Sequence, residues 1–183
     1  GYRATTKGNV LLRKRQYQLS DDESWSLHVA RLMIGGKIQN YRNILRRYIR
    51  DYGENENINR AVQVLEHAKR EALATQDKTT LIGYEGMASN AYFEVLPVLI
   101  LNQKADFPFH GRNRRPPKDA VNAMLSFAYT LIANDVAAAL ETVGLDPYVG
   151  FLHTLRPGRT SLALDMMGKS YVAYLGRPFL FCR

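Results

Sequence analysis

With 183 residues the chain has room for one full domain and a small appendage. Lys and Arg number 25 against 17 Asp and Glu, a formal charge of +8, which favours a polyanionic partner without separating DNA from RNA or an anionic membrane. A single cysteine, Cys182, excludes an internal disulfide framework and a Cys-based zinc site, and no signal peptide or long uninterrupted apolar span is legible, so the chain reads as cytoplasmic.

Gly1 is not an initiator methionine, so the sequence reads as processed or as a fragment. Residues 1–18 read as extended: Gly8-Asn9 suits a turn, and Val10-Leu11-Leu12 with Tyr17 suits a strand. One strand cannot stand alone, so 1–19 is expected to be the junction to a separate β-rich domain. Ser20-Asp21-Asp22-Glu23 carries the capping side chains and first-turn acids of a helix start. Ile34, Ile38, Tyr41, Leu45 and Tyr48 then share one helical face. Lys37, Arg42, Arg46, Arg47 and Arg50 fall outside that stripe, as a solvated face or as nucleic-acid contacts. Gly35-Gly36 marks a bend or a close helix approach. Asn57 or Asn59 is expected to cap a helix over 58–73, with Val62, Leu65 and Ala68 inward.

A further helix is predicted from near Leu81. Leu81, Glu85, Ala88, Tyr92, Leu96 and Leu99 occupy one narrow sector, which puts a carboxylate in the middle of an apolar face. Such a group needs a metal, hydrogen-bond donors or a cation, an arginine from another helix being the structural alternative. Gly83 and Gly86 flank it and permit close approach of a ligand or backbone. Pro97 should kink or end the helix near Phe93–Leu96. A basic run, His110-Gly111-Arg112-Asn113-Arg114-Arg115, stiffened by Pro116-Pro117, feeds a helix with Asp119 in its first turn, continuing to about Leu140. Val121, Leu125, Ala128, Ile132, Val136 and Ala139 are its predicted buried face, with Asn122, Ser126 and Tyr129 as a polar stripe. An arginine loop at a helix start suits a phosphate clamp.

Gly144 stops that helix, and the turn Leu145–Gly150 delivers His153, followed by Arg156-Pro157-Gly158-Arg159. Thr160 or Ser161 caps a last helix start carrying Asp165. His153, beside two arginines, is better placed for chemistry than His28, His67 or His110. Glu, His and Asp are oxygen and nitrogen donors suited to Mg²⁺ or Mn²⁺ where phosphate completes the shell, although their spacing matches no short regular metal motif.

Three stretches, GYEGMASNAYF, NRRPPKDAVNAMLSFAYTLI and GLDPYVGFLHTLRPGRTSLALD, resemble the blocks of the CRISPR-associated integrase, an antiviral-defence enzyme that captures foreign DNA as spacers. GNVLLRKRQY and GKIQNYRNILRR are similar to that family's approach to its helical C-terminal domain. The resemblance covers about residues 8–168 and implies a mainly α fold: 1–19 a strand remnant of an N-terminal β domain, 20–168 the catalytic-type helical domain, 169–183 a divergent tail.

It also implies a metal-dependent DNA endonuclease and integrase. The family's metal-binding Glu falls on Glu85 and its His on His153. Arg112, Arg114, Arg115, Lys118, Arg156 and Arg159 would face duplex or branched DNA, with Asn122 and Tyr129 behind the metal or against the DNA. Implied partners are a second copy of the chain and the small companion subunit of the adaptation complex, with no membrane. The family's acidic third ligand is replaced by Gly168, leaving Asp165, one helical turn earlier, as an auxiliary acid and substitute ligand. The alternative is an inactive DNA-binding helical module, and after it a purely structural helical domain.

Overall fold

The computed structural model describes residues 9–113, 116–153 and 156–167. Six helices run in chain order: α1 (Val10–Asp21), α2 (Glu23–Tyr52), α3 (Glu56–Ala74), α4 (Lys78–Glu94), α5 (Leu96–Leu99) and α6 (Ala120–Thr142). A last helical stretch, α7, occupies 161–167. The described residues contain no strand, in keeping with the mainly α expectation.

The extended segment predicted up to residue 18 is corrected from Val10 onward, where the chain is helical. Asn9 makes the difference, its side chain accepting from the backbone N–H of Leu11 and Leu12 at 3.1 and 3.3 Å. Arg13, Lys14, Arg15 and Gln16 then propagate as good helix formers. The apolar run that read as a strand is largely solvent-facing, with Val10 and Leu11 about three-quarters exposed at 75% and 77%. Residues 1–8 lie outside the described part.

Helices α2, α3 and α4 pack on one another and make the body. Ile34, Ile38, Tyr41 and Leu45 of α2 are buried, as their spacing requires, and α3 adds Ile58, Val62 and Leu65 to the same core. Each fully buried Leu or Ile here contributes about 2 kcal/mol of transfer free energy. Helix α2 runs unbroken through Gly35-Gly36. A Cβ at Gly35 would stand 2.8 Å from Leu73 Cδ2, so glycine there serves close packing of α3 rather than a bend. Tyr41 of α2 stacks on Tyr92 of α4 with centroids 4.3 Å apart.

Helix starts follow their capping chemistry. Asp22 caps α2, as predicted. Asn55, not Asn57 or Asn59, caps α3 by accepting from Ile58 N, so the helix begins earlier than expected. Asp119 is the cap of α6 rather than a first-turn residue. Helix α4 stops at Glu94 and Pro97 sits in the first turn of α5, the break its ring demands. On α6, Val121, Leu125 and Ile132 are buried and Ala128 and Val136 half-buried. Ala139, predicted inward, is exposed, and so are Phe127 and Leu131 on the outer edge. By length and composition alone α6 is apolar enough to cross a membrane. Its inner edge nevertheless belongs to the shared core, and a smaller cluster of Met33, Leu140, Leu162 and Ala163 ties α2, α6 and α7 together.

Candidate nucleic-acid and metal site

Glu85 sits on α4 among Leu81, Ala88 and Tyr92, all buried, as its sector predicted. Its partner is a cation, but from lysine rather than arginine: Lys37 Nζ of α2 donates to Glu85 Oε1. The expectation of a solvated Lys37 is thus corrected, since its side chain is only 16% exposed and that of Glu85 27%. The position explains it. Lys37 lies three residues after Ile34 and four before Tyr41, on the margin of the buried stripe, so its stem packs while its ammonium reaches α4. Burial works against the charged ammonium, yet Tyr41, Glu85 and Tyr129 outweigh it and hold the pKa above the ordinary lysine value. Lys37 Nζ also lies 5.8 Å from the Tyr41 ring centroid.

His153 and Asp165 are brought together. Asp165 Oδ1 accepts from the His153 ring at Nδ1, which fixes the tautomer and leaves the lone pair on Nε2. The same carboxylate receives three backbone N–H groups: Phe151 and Leu152 at 2.7 and 3.0 Å on Oδ2, and His153 at 3.2 Å on Oδ1. Its side chain is fully buried, whereas that of His153 is 34% exposed. Asp165 therefore anchors the turn and orients the imidazole. Gly150 is part of the fit, because a Cβ there would stand 2.6 Å from Asp165 Oδ2. From the other side, Ser26 of α2 donates to the Phe151 carbonyl at 2.8 Å and itself accepts from Lys78 Nζ.

The preceding turn is clamped by α1. Gln16, buried, donates to the carbonyls of Asp146 and Val149 at 2.8 and 2.9 Å and accepts from Asp146 N at 2.8 Å. Tyr17 donates its hydroxyl to the Asp146 carboxylate at 2.7 Å, and that bond holds the phenol pKa above its usual value.

The basic loop is organised by Asn122. Asn122, predicted on a polar stripe with Ser126 and Tyr129, is fully buried. Its Oδ1 accepts from Arg112 Nη1 at 2.8 Å and from Asn113 N at 3.0 Å. Its Nδ2 donates to Gly111 O at 2.9 Å and to Asp119 Oδ2 at 2.7 Å. Burial works against the Asp119 carboxylate, but the hydrogen bonds from Asn122 and Asn113 win and lower its pKa. Arg112 is thereby held by a buried amide at the wall of a cleft of about 620 Å³. Arg156 and Arg159 line the same cleft, as do Ser126 and Tyr129 of α6. Arg114 and Arg115 lie outside the described residues, as does Gly168; Lys118 is described and exposed.

Tyr129, which lines this cleft, contributes to the electrostatics of Lys37, the partner of Glu85. Among the described residues no three His, Cys, Asp or Glu side chains converge as a metal cage. Glu85 and the Nε2 of His153 offer one oxygen and one nitrogen donor type of the kind a hard divalent cation takes. Sequence reading missed Lys37, Gln16, Ser26 and Gly150. Of these only Lys37 left a signal, its place on the margin of an otherwise apolar stripe.

Residues 2–169 match the family described as CRISPR associated protein Cas1. A CRISPR-associated endonuclease Cas1 of Chlorobaculum tepidum is 45% identical over 173 residues, 93% of this chain and 50% of that protein. A CRISPR-associated endonuclease Cas1 of Leptospira interrogans is 44% identical over 173 residues, covering 93% of this chain and 66% of its own length. The chain thus spans about half to two-thirds of these curated relatives. Among solved structures, a Cas1 protein from Thermotoga maritima superposes with a TM-score of 0.80 at 25% identity, covering 98% of this chain and 54% of that one. With nearly its whole described length accounted for by one family in sequence and in fold, the chain belongs to the CRISPR-associated Cas1 family.

Proposed function

We propose that this chain is the helical part of a metal-dependent DNA endonuclease and integrase that cuts and joins phosphodiesters during spacer acquisition. The observation that carries the reading is the cleft lined by Arg112, Arg156 and Arg159 together with Ser126 and Tyr129 of α6. Arg112, Arg156 and Arg159 match phosphate oxygens, and Arg112 is pre-set by Asn122. Glu85 and His153 are the proposed holders of Mg²⁺ or Mn²⁺, with Asp165 keeping the His153 ring in the ligating tautomer. A divalent cation there supplies Lewis-acid activation of a DNA 3′-hydroxyl or a water, and charge neutralisation at the leaving oxygen. Duplex or branched DNA, a second copy of the chain, the small companion subunit and a cytoplasmic setting belong to the same reading.

A second reading has its own support. Asp165 is committed to backbone amides, and no third acidic donor joins Glu85 and His153 among the described residues, which favours a DNA-binding module with weak or absent catalysis. Isothermal titration of Mn²⁺ into the wild type, Glu85→Ala, His153→Ala and Gly168→Asp separates the two. The enzyme reading expects weak wild-type binding, loss in both alanine variants and tighter binding with Gly168→Asp. Absent binding in all four folded proteins leaves the DNA-binding module.

A further inference from the structure

We propose that Lys37 is the resident cation of Glu85, so that loading of a divalent cation is an exchange in which the ammonium must leave the carboxylate, and Lys37 thereby sets metal affinity. The inference rests on the reading of Glu85 as a metal ligand.

Three observations meet at this pair. The ammonium donates directly to Glu85 Oε1 from a different helix, so the contact is tertiary and does not arise from helical spacing alone. Both side chains are largely withdrawn from water, so the attraction is screened less than in a surface pair. The carboxylate nevertheless remains reachable, with its side chain 27% exposed.

An arriving dication and the ammonium compete for one carboxylate. The metal must displace Lys37 and then tolerate a positive neighbour a few ångströms away, and both effects weaken binding. The displaced ammonium has other company, since the Tyr41 ring lies beside it.

The test is Mn²⁺ titration by calorimetry, with Mn²⁺-induced change in thermal midpoint as the second readout, on the wild type, Lys37→Met, Lys37→Gln, Lys37→Arg and Glu85→Gln. Lys37→Met and Lys37→Gln are expected to bind Mn²⁺ on the order of tenfold more tightly and to gain more thermal stability from it. Lys37→Arg should stay within about threefold of the wild type, because a cation still holds the acid. Should Lys37→Met not fold, Lys37→Gln carries the comparison, since its amide still donates to Glu85 without the charge. Affinity unchanged or weaker in the neutral variants, with binding abolished by Glu85→Gln, overturns the exchange and leaves the metal-site reading standing. No Mn²⁺ binding in any folded variant overturns both.

Discussion

Replacing Asp165 by Ala isolates the post on which the His153 turn stands. The carboxylate accepts three backbone N–H groups at 2.7, 3.0 and 3.2 Å and the His153 ring besides. A buried donor left without a partner costs about 1–3 kcal/mol. Phe151, Leu152 and His153 are half-buried, so their amides regain water in part. The expected loss is then about 4 kcal/mol, a large share of the roughly 5–15 kcal/mol available to a domain. With a urea slope of about 2 kcal/mol/M, the denaturation midpoint should fall by about 2 M. Asp165→Asn keeps the shape but turns an NH₂ toward N–H donors, and should lose about half as much. Gly150→Ala should approach the alanine variant, because its Cβ would stand 2.6 Å from Asp165 Oδ2. A midpoint for Asp165→Ala within about 0.3 M of the wild type, with an unchanged slope, would refute the anchoring argument.

Binding of labelled branched DNA should weaken steeply with salt, and Arg156→Ala or Arg159→Ala should each reduce the slope of log K against log[salt] by about one; no binding at low salt would remove the nucleic-acid reading. Asn122→Leu should cost about 2–4 kcal/mol in urea unfolding, because Arg112, Asn113 N, Gly111 O and Asp119 each lose one hydrogen bond together. The lowered pKa of Asp119 means that its contribution is complete above the unfolded carboxylate value and fades as pH falls through the folded one. The wild type should thus lose stability relative to Asp119→Asn only below about pH 4, as read from thermal midpoints across an acid series.

Helix existence and the buried faces were legible because they depend on period and caps, which are local. Ile34, Ile38, Tyr41 and Leu45 went inward as spaced, Asp22 capped α2, and Pro97 parted α4 from α5. The state of Val10–Asp21 was not legible from its apolar run, because a short run of that kind suits strand or helix; Asn9 and the contact of Gln16 with a turn some 130 residues away decide it. Glu85 announced itself as a carboxylate in an apolar face, and the identity of its partner did not follow. Whether that partner is Lys37 depends on how α2 lies against α4, a matter of packing over 48 residues of separation. Asp165 likewise reads in sequence as an acid one turn from the position where the family carries its third ligand. Only the folded turn, which aims three amides and an imidazole at it, makes it an anchor, because hydrogen-bond donors distant in the chain take up an acceptor only when tertiary packing brings them within reach.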